Sequence, residues 1–436
     1  MNIVLTTPNG WEHAQQQRMR DAAITAGLVD AAGGSRIRFV TEAEAAVHCV
    51  SKQLNPSVRD WLKVDTNLII CDAGGGTVDI TAYRVAATKP LRLEETVASQ
   101  CHLAGAVYIK SAAEAYLRDH LGGTPWSSDD AISRILDTFD RVDKKKFSGQ
   151  DDDVYITLSS ESTLDIDEKN IARGRLQLTR ATMASFFDHS LSKTKEGILS
   201  IFQNSGKQAD KIVLVGGLSE SPFFHSSLQQ WSRENGLSLI RPMGSIAKVV
   251  PHGALHWHID CIVRSRVVKA HFGTNVQVRF DANNPDHFER RHQQIHDIDG
   301  HSYLAGGWES IVRKGEKISS KKEFETLFKI HLAADCTKCE MEEPIYAYRG
   351  AQPPSFIQAP TADHDGVAFE LVGKVKADLW ECFAEAPARF VPQTGESIKT
   401  LKFTICLLMG STELSARIKW VHDGVIVYGP ASIAYL

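Results

Sequence analysis

The amino-acid sequence predicts an α/β layer fold followed by a β-rich module, on three observations. The opening, from Ile3 to the helix that follows Thr41, reads as strand, helix, strand, helix. A second alternation, of helix, strand and helix, runs from about Leu178 to His258. From Val267 onward, period-two apolar patterning takes over. The 436 residues, roughly two to four usual domain lengths, call for more than one domain or a large two-lobed fold. A net charge of −4, with 43% hydrophobic and 23% charged residues, excludes collagen, coiled coil and wholesale disorder. It also supplies no global positive field for nucleic-acid phosphates.

The elements follow in order. Ile3 to Leu5 reads as a short strand, and Pro8-Asn9-Gly10 as a turn. The next helix carries Met19, Ala22, Ala23 and Ala26 at i, i+3, i+4 and i+7, with Gly27 as its stop. Arg36 to Val40 alternates like a strand, and Thr41-Glu42-Ala43-Glu44 has the form of a capping box. Two strands, Asn67 to Asp72 and Val78 to Val85, are separated by Ala73-Gly74-Gly75-Gly76-Thr77. From about Ala104 to Arg180 the chain is richer in charge, with Lys144-Lys145-Lys146 near Asp151-Asp152-Asp153, as in a smaller exposed subdomain. One long helix is expected over Leu178 to Phe202, then the strand Lys211 to Val215 and the turn Gly216-Gly217. Ser221-Pro222 opens a helix with Phe224, Leu228 and Trp231 on one face. Near the end, Leu414, Ala416, Ile418 and Trp420 alternate, Asp423-Gly424 makes a tight turn, and Val425 and Val427 return. The N-terminus lacks a basic, apolar leader and no run nears the ~20 apolar residues of a membrane span, so a cytoplasmic chain is expected. Eight dispersed cysteines read as reduced thiols.

The strongest chemical signal is Asp72-Ala73-Gly74-Gly75-Gly76-Thr77-Val78-Asp79 between two apolar strands. Successive glycines admit backbone angles closed to other residues and let N–H groups converge on one anion, which makes a phosphate cradle. Asp72 and Asp79 would repel bare phosphate, and Mg2+ between carboxylates and phosphate resolves the conflict. Thr77 adds a hydroxyl. A plain glycine hairpin capped by carboxylates is the competing reading. Neither a Walker loop nor a Rossmann fingerprint fits, because Gly-Lys-Ser/Thr is absent and a strand follows the glycines.

These residues resemble the second phosphate motif of the 70-kDa heat-shock chaperones, members of the actin-like ATPase superfamily. Ile3 to Pro8 with Gln15 to Arg18, Val40 to Ala46, and Ile212 to Pro222 resemble further stretches of that family in its order, over roughly residues 2 to 258. The C-terminal part, with Gly410 to Leu414 and Tyr428 to Ala431, is similar to a divergent eukaryotic branch common in fungi. The resemblance implies an actin-like, ribonuclease H-like fold over residues 1–260. Within it, 1–60 would be the rest of a first lobe, 61–103 with 176–260 a second lobe, and 104–175 a helical, charged subdomain. Residues 261–436 would be a β-rich module.

It also implies ATP or ADP with Mg2+. Gly74, Gly75, Gly76 and Thr77 would hold phosphates, and Asp72 and Asp79 would serve the metal. Glu42, Asp72 and Thr77 would be catalytic, although a first-turn carboxylate such as Glu42 or Glu44 also simply favours a helix dipole. Gly216 and Gly217 would admit adenosine, and Gly105 would be a further nucleotide contact whose companion glycine is here Ala104. Lys144 and Lys145 would stack on adenine, unless that charge run is a solvated face. Unfolded-protein clients or co-chaperones and a stress-response role are the implied partners and context, with no nucleic acid and no membrane.

The family's first phosphate hairpin and its γ-phosphate lysine have no counterpart here, which leads to an expectation of an N-terminally incomplete fold and impaired hydrolysis. Three functions compete: a chaperone-like ATPase, an interaction scaffold built on a degenerate nucleotide fold, and a sugar or acetate kinase of the same superfamily. Cys336-Thr337-Lys338-Cys339 lacks a second ligand pair, and His292 with His296 lacks a metalloprotease glutamate, so neither suggests a metal site.

Overall fold

The computed structural model describes residues 2–53, 62–150, 153–159, 162–206, 209–242, 248–319, 322–357, 367–409, 414–429 and 431–435. Of the segments singled out above, Asp151-Asp152, Gly410 to Glu413 and Pro430 lie outside the described residues. Two compact units form: Met1–Gly10 with Ser35–Arg264, and Trp11–Gly34 with Ser265–Leu436.

The chain opens with β1 (Ile3–Thr7), α1 (His13–Thr25), β2 (Ile37–Thr41) and α2 (Glu42–Gln53). In the first unit, β1 and β2 pair in parallel from Ile3 opposite Ile37 to Thr7 opposite Thr41. Next come β3 (Asn67–Ala73), β4 (Val78–Thr88), β5 (Leu91–Glu95) and β6 (Gln100–His102), then α3 (Ala106–His120) and α4 (Asp129–Thr138). A three-stranded sheet, β7 (Asp153–Thr157), β8 (Ile171–Ala172) and β9 (Arg175–Thr179), precedes α5 (Arg180–Ser185) and α6 (Asp188–Ser205). The unit continues with β10 (Lys211–Val215), α7 (Pro222–Glu234), β11 (Leu239–Ile240) and α8 (Val249–Ile259).

Its main sheet runs β11-β10-β3-β4-β5, with β6 also on β4. The β10 strand is parallel to both β11 and β3, whereas β3 and β4 are antiparallel. The uninterrupted apolar run of β3 has a direct cause: both faces of the sheet are covered. Ile69 and Cys71 face a core shared with Ile109, Leu214 and Phe224, while Leu68 and Ile70 face one shared with Val47 and Val50 of α2. Each such side chain contributes roughly 1.5–3 kcal/mol on burial.

The expected helix over Leu178 to Phe202 is in fact a strand and two helices. Leu176 and Leu178 are buried while their neighbours are exposed, the period of a strand. Thr179 then caps α5 by accepting the Thr182 N–H at 3.1 Å, and buried Phe186 and Phe187 separate α5 from α6.

In the second unit, α1 also differs in its facing. Of its four alanine and methionine positions only Ala23 is buried, and Gln16 is buried beside it. Single methyl groups on a largely polar helix carry little hydrophobic gain, so other contacts set its rotation. The His13 ring meets Phe272 edge-on at 6.4 Å.

The rest of that unit is β-rich. Its strands are β12 (Val263–Val267), β13 (His271–Arg279), β14 (Gln294–His296), β15 (Ser302–Val312), β16 (Lys317–Ser319), β17 (Glu323–Ala333), β18 (Glu340–Tyr348) and β19 (Glu370–Asp378). They are followed by β20 (Ala388–Val391), β21 (Glu396–Leu408), β22 (Ser415–His422), β23 (Val425–Gly429) and β24 (Ala431–Tyr435). One sheet runs β14-β15-β13-β18-β19-β24 and another β17-β21-β22-β23, with β20 on β21. They share a core: Phe272, Ile345 and Val375 meet Phe328, Phe403, Ile405 and Trp420. The β22–β23 hairpin turns through Asp423 (φ +46°) and Gly424 (φ +79°), the left-handed pair a two-residue turn requires. No helix among the described residues is long and apolar enough to cross a membrane.

Candidate functional site

The antiparallel register of β3 and β4 sets Asp72 directly opposite Asp79 and Ala73 opposite Val78, so the two carboxylates share one face at the strand ends. The turn between them closes with the Gly74 N–H donating to the Thr77 carbonyl at 2.9 Å. Contrary to the expectation from three glycines, none of Gly74, Gly75 or Gly76 has a positive φ. What these positions lack is a side chain in the way. A β-carbon on Gly75 or Gly76 would meet nothing within 4 Å.

The other side of the turn is pressed against the start of α3. The N–H groups of Gly105, Ala106 and Val107 donate to the carbonyls of Gly76, Gly74 and Gly75 at 3.1, 3.1 and 2.9 Å. In a trans peptide the N–H points opposite to the carbonyl. The N–H groups of Gly75, Gly76 and Thr77 therefore face away from the helix. Gly105 makes this contact possible, since a β-carbon there would lie 2.5 Å from the Gly75 oxygen and 2.6 Å from the Gly76 carbonyl carbon.

Three carboxylates gather beside the turn. Burial, then the Glu42 and Asp79 charges, push the Asp72 carboxyl up to about 7. Burial and the Asp79 charge likewise raise Glu42, the first residue of α2. Asp79 is held from two sides: the Asn9 backbone N–H donates to Oδ1 at 2.9 Å and the Thr77 hydroxyl to Oδ2 at 2.8 Å. Like charges crowded in a buried place favour bound protons or a bound cation. These residues have the hard oxygen donors that suit Mg2+.

Gly216 follows β10 at the point where Val215 pairs with Asp72. Its φ is +84°, and a β-carbon would overlap Asp72 Oδ1 and the Ala73 carbonyl oxygen. Gly217 opens a short turn, and its β-carbon position is clear of any atom within 4 Å. Ser221 then caps α7 by accepting the Phe224 N–H at 3.4 Å. The structure therefore brings Glu42, Asp72, Gly74 to Thr77, Asp79, Gly105 and Gly216 together. Of the two lysines, Lys144 is buried with its ammonium on Asp140, four residues earlier, whereas Lys145 is exposed.

Two contacts that support the site had no signal in the sequence. Asn9 read only as a turn residue, yet besides its N–H on Asp79 its side-chain amide donates to Thr81 Oγ1 at 2.9 Å. Glu44 does offer its N–H to Thr41 Oγ1 at 3.2 Å, as a capping box requires, but its buried carboxylate also accepts the Trp257 indole N–H at 2.9 Å. That bond spans 213 residues. Here α8 crosses α2 so closely that a β-carbon on Gly253 would overlap the backbone of Ala45.

The family model described as Hsp70 protein matches residues 1–248, more than half of the 436-residue chain, and covers the glycine turn, the three carboxylates, Gly105 and Gly216-Gly217. The chain belongs to the Hsp70 family. It is also similar to the chaperone protein DnaK of Metamycoplasma hominis, at 22% identity over 258 residues, 55% of this chain and 38% of that protein. The chain thus spans well under half the length of this Hsp70-family relative.

Proposed function

We propose that the first unit is a nucleotide-binding domain of actin-like fold that holds ATP or ADP with Mg2+ in a chaperone-type cycle. The observation that carries this reading is the convergence of outward N–H groups, three carboxylates and the Gly216-Gly217 turn from three separate stretches of chain. In this reading the N–H groups of Gly75, Gly76 and Thr77 receive phosphate oxygens, and Asp72 and Asp79 hold the metal through its waters. Bound Mg2+ supplies the positive charge that offsets phosphate and carboxylate together. Glu42 accepts a hydrogen bond from the attacking water, and Gly216-Gly217 leaves room for the nucleoside. Lys145, exposed where its neighbour is buried, is the better placed of the two lysines to cover a base.

Burial and neighbouring carboxylates raise Glu42 and Asp72, and among the described residues no Lys or Arg counters that shift. A phosphoryl-transfer site without a cationic side chain loses transition-state stabilisation. Slow hydrolysis by this chain belongs to the proposal, as do cytoplasmic residence, kinship with the divergent fungal branch, and transmission of nucleotide state to the β-rich unit, where clients or co-chaperones would bind.

The test is isothermal titration of Mg-ATP and Mg-ADP into the chain, beside Asp72→Ala and Gly75→Val. Micromolar binding lost in both variants supports the reading. No heat from a folded chain removes it and leaves a scaffold that uses the β-rich unit.

A further inference from the structure

We propose that Asp297, Asp299 and His331, in the β-rich unit, form a site for a divalent transition-metal ion, best matched by Zn2+, that ties the unit's two sheets together. Asp297 and Asp299 stand on the tight turn between β14 and β15. There the Asp297 N–H donates to the His301 carbonyl and the Gly300 N–H to the Asp297 carbonyl, each at 3.0 Å. His331 stands on β17, in the other sheet. One donor atom of each residue lies within 4.8 Å of the other two, and His331 Nε2 is 3.3 Å from Asp299 Oδ2. Metal–ligand bonds of about 2.1 Å in a tetrahedron place donor atoms roughly 3.4 Å apart. One pair, His331 Nε2 with Asp299 Oδ2, is already at that spacing, and an Asp297 donor lies within 4.8 Å of both.

Each donor is oriented by a further group, as metal ligands require. His331 Nδ1 lies 3.1 Å from Thr400 Oγ1, on the residue directly across the β17–β21 ladder. Asp299 accepts the Tyr303 hydroxyl on Oδ2 at 2.8 Å and the His301 N–H on Oδ1 at 2.9 Å. Asp297 Oδ1 accepts the Ile298 N–H at 2.7 Å.

Charge points the same way. The Asp299 and His331 side chains are 3% and 5% exposed, and among the described residues no Lys or Arg forms an ion pair with Asp297 or Asp299. A second trio of possible donors, Glu323, Glu325 and Cys406, is different, because Arg417 and Lys419 already neutralise its carboxylates. The Tyr303 hydroxyl and the His301 N–H already support the Asp299 carboxylate, and together with Asp297 it presents two anionic groups whose charge a dication balances. The imidazole donor disfavours Mg2+ and Ca2+, which take oxygen, and suits Zn2+ with a water as fourth ligand. On binding, the ring tautomer that donates Nε2–H to Asp299 gives way to the one that donates Nδ1–H to Thr400, with no net proton released.

The experiment titrates Co2+, as a spectroscopic stand-in, into the chelator-stripped full chain in excess Mg2+ without nucleotide, followed by displacement with Zn2+. One equivalent with the visible bands of four-coordinate Co2+ is expected, together with conversion of the His331 ring to its Nδ1–H tautomer by NMR. Asp297→Asn preserves the turn, because the amide oxygen still accepts the Ile298 N–H. It should weaken binding at least about 10-fold, as should His331→Gln, while His292→Ala should not. No binding to the folded wild type, or binding equally tight in Asp297→Asn, overturns the proposal.

Discussion

Gly216 lies so close to Asp72 that a β-carbon on residue 216 would overlap the Asp72 carboxylate. Its φ of +84° adds a second reason against any side chain. Gly216→Ala is therefore expected to cost about 2–4 kcal/mol, by strain and by displacement of a buried carboxylate. The urea midpoint reads that loss, and an unchanged midpoint would show that the turn can move aside.

Gly75 and Gly105 face each other across one hydrogen bond layer but should respond oppositely to substitution. Gly75→Val points into open space and should leave stability within about 1 kcal/mol of the wild type, whereas Gly105→Ala drives a methyl group into the Gly75 and Gly76 peptides and should lower it by about 1–3 kcal/mol. Thermal unfolding of the two variants side by side decides the matter; equal losses would mean that the turn is not anchored on α3.

Asp72 gives the metal-free chain an unusual pH dependence. Its carboxyl is raised from the ordinary 3.8 to about 7, so between those values the folded state keeps a proton that the unfolded chain has released. The associated stability is fully present below about pH 4 and is lost as pH rises through about 7, with a ceiling of roughly 4 kcal/mol. Urea midpoints should fall from pH 5 to pH 8, and Asp72→Asn should flatten the fall. An identical slope in the variant would assign the effect elsewhere.

The Glu44–Trp257 bond holds α2, and with it Glu42, against α8. Trp257→Phe keeps an aromatic ring beside Arg38, whose guanidinium lies 4.7 Å from the indole, but removes one donor from a buried carboxylate. A loss of about 1–3 kcal/mol is expected. Chemical denaturation at neutral pH measures it, and a neutral substitution would mean that Glu44 finds another donor.

The parts of this fold that were legible in advance are those fixed by neighbours in sequence. The β3-turn-β4 hairpin, the Ser221 cap and the Asp423-Gly424 turn each depend on residues within a few positions of one another. The helix expected over Leu178 to Phe202 fails at its start, because the i, i+2 spacing of Leu176 and Leu178 is that of a strand, and Leu178 alone inside the expected span carries no period of its own. At the site, the residue types that handle charge were readable, while their supports were not. Asn9 reaches Asp79 across 70 residues, and no local pattern carries that information. The glycines of the turn were noticed for conformational freedom, whereas their use is the space they leave and the close approach of α3.

The contact between α3 and the glycine turn also makes the turn an electrical extension of the helix. The first N–H groups of α3 end on peptide carbonyls, so the partial positive charge of roughly +0.5 at that helix end polarises the peptides of residues 74–77 in series. Their outward N–H groups become stronger donors than isolated peptides. The field of a 15-residue helix thus reaches the outward N–H groups of the turn, and substitutions within Ala106–His120 that alter its dipole should change how strongly those groups donate.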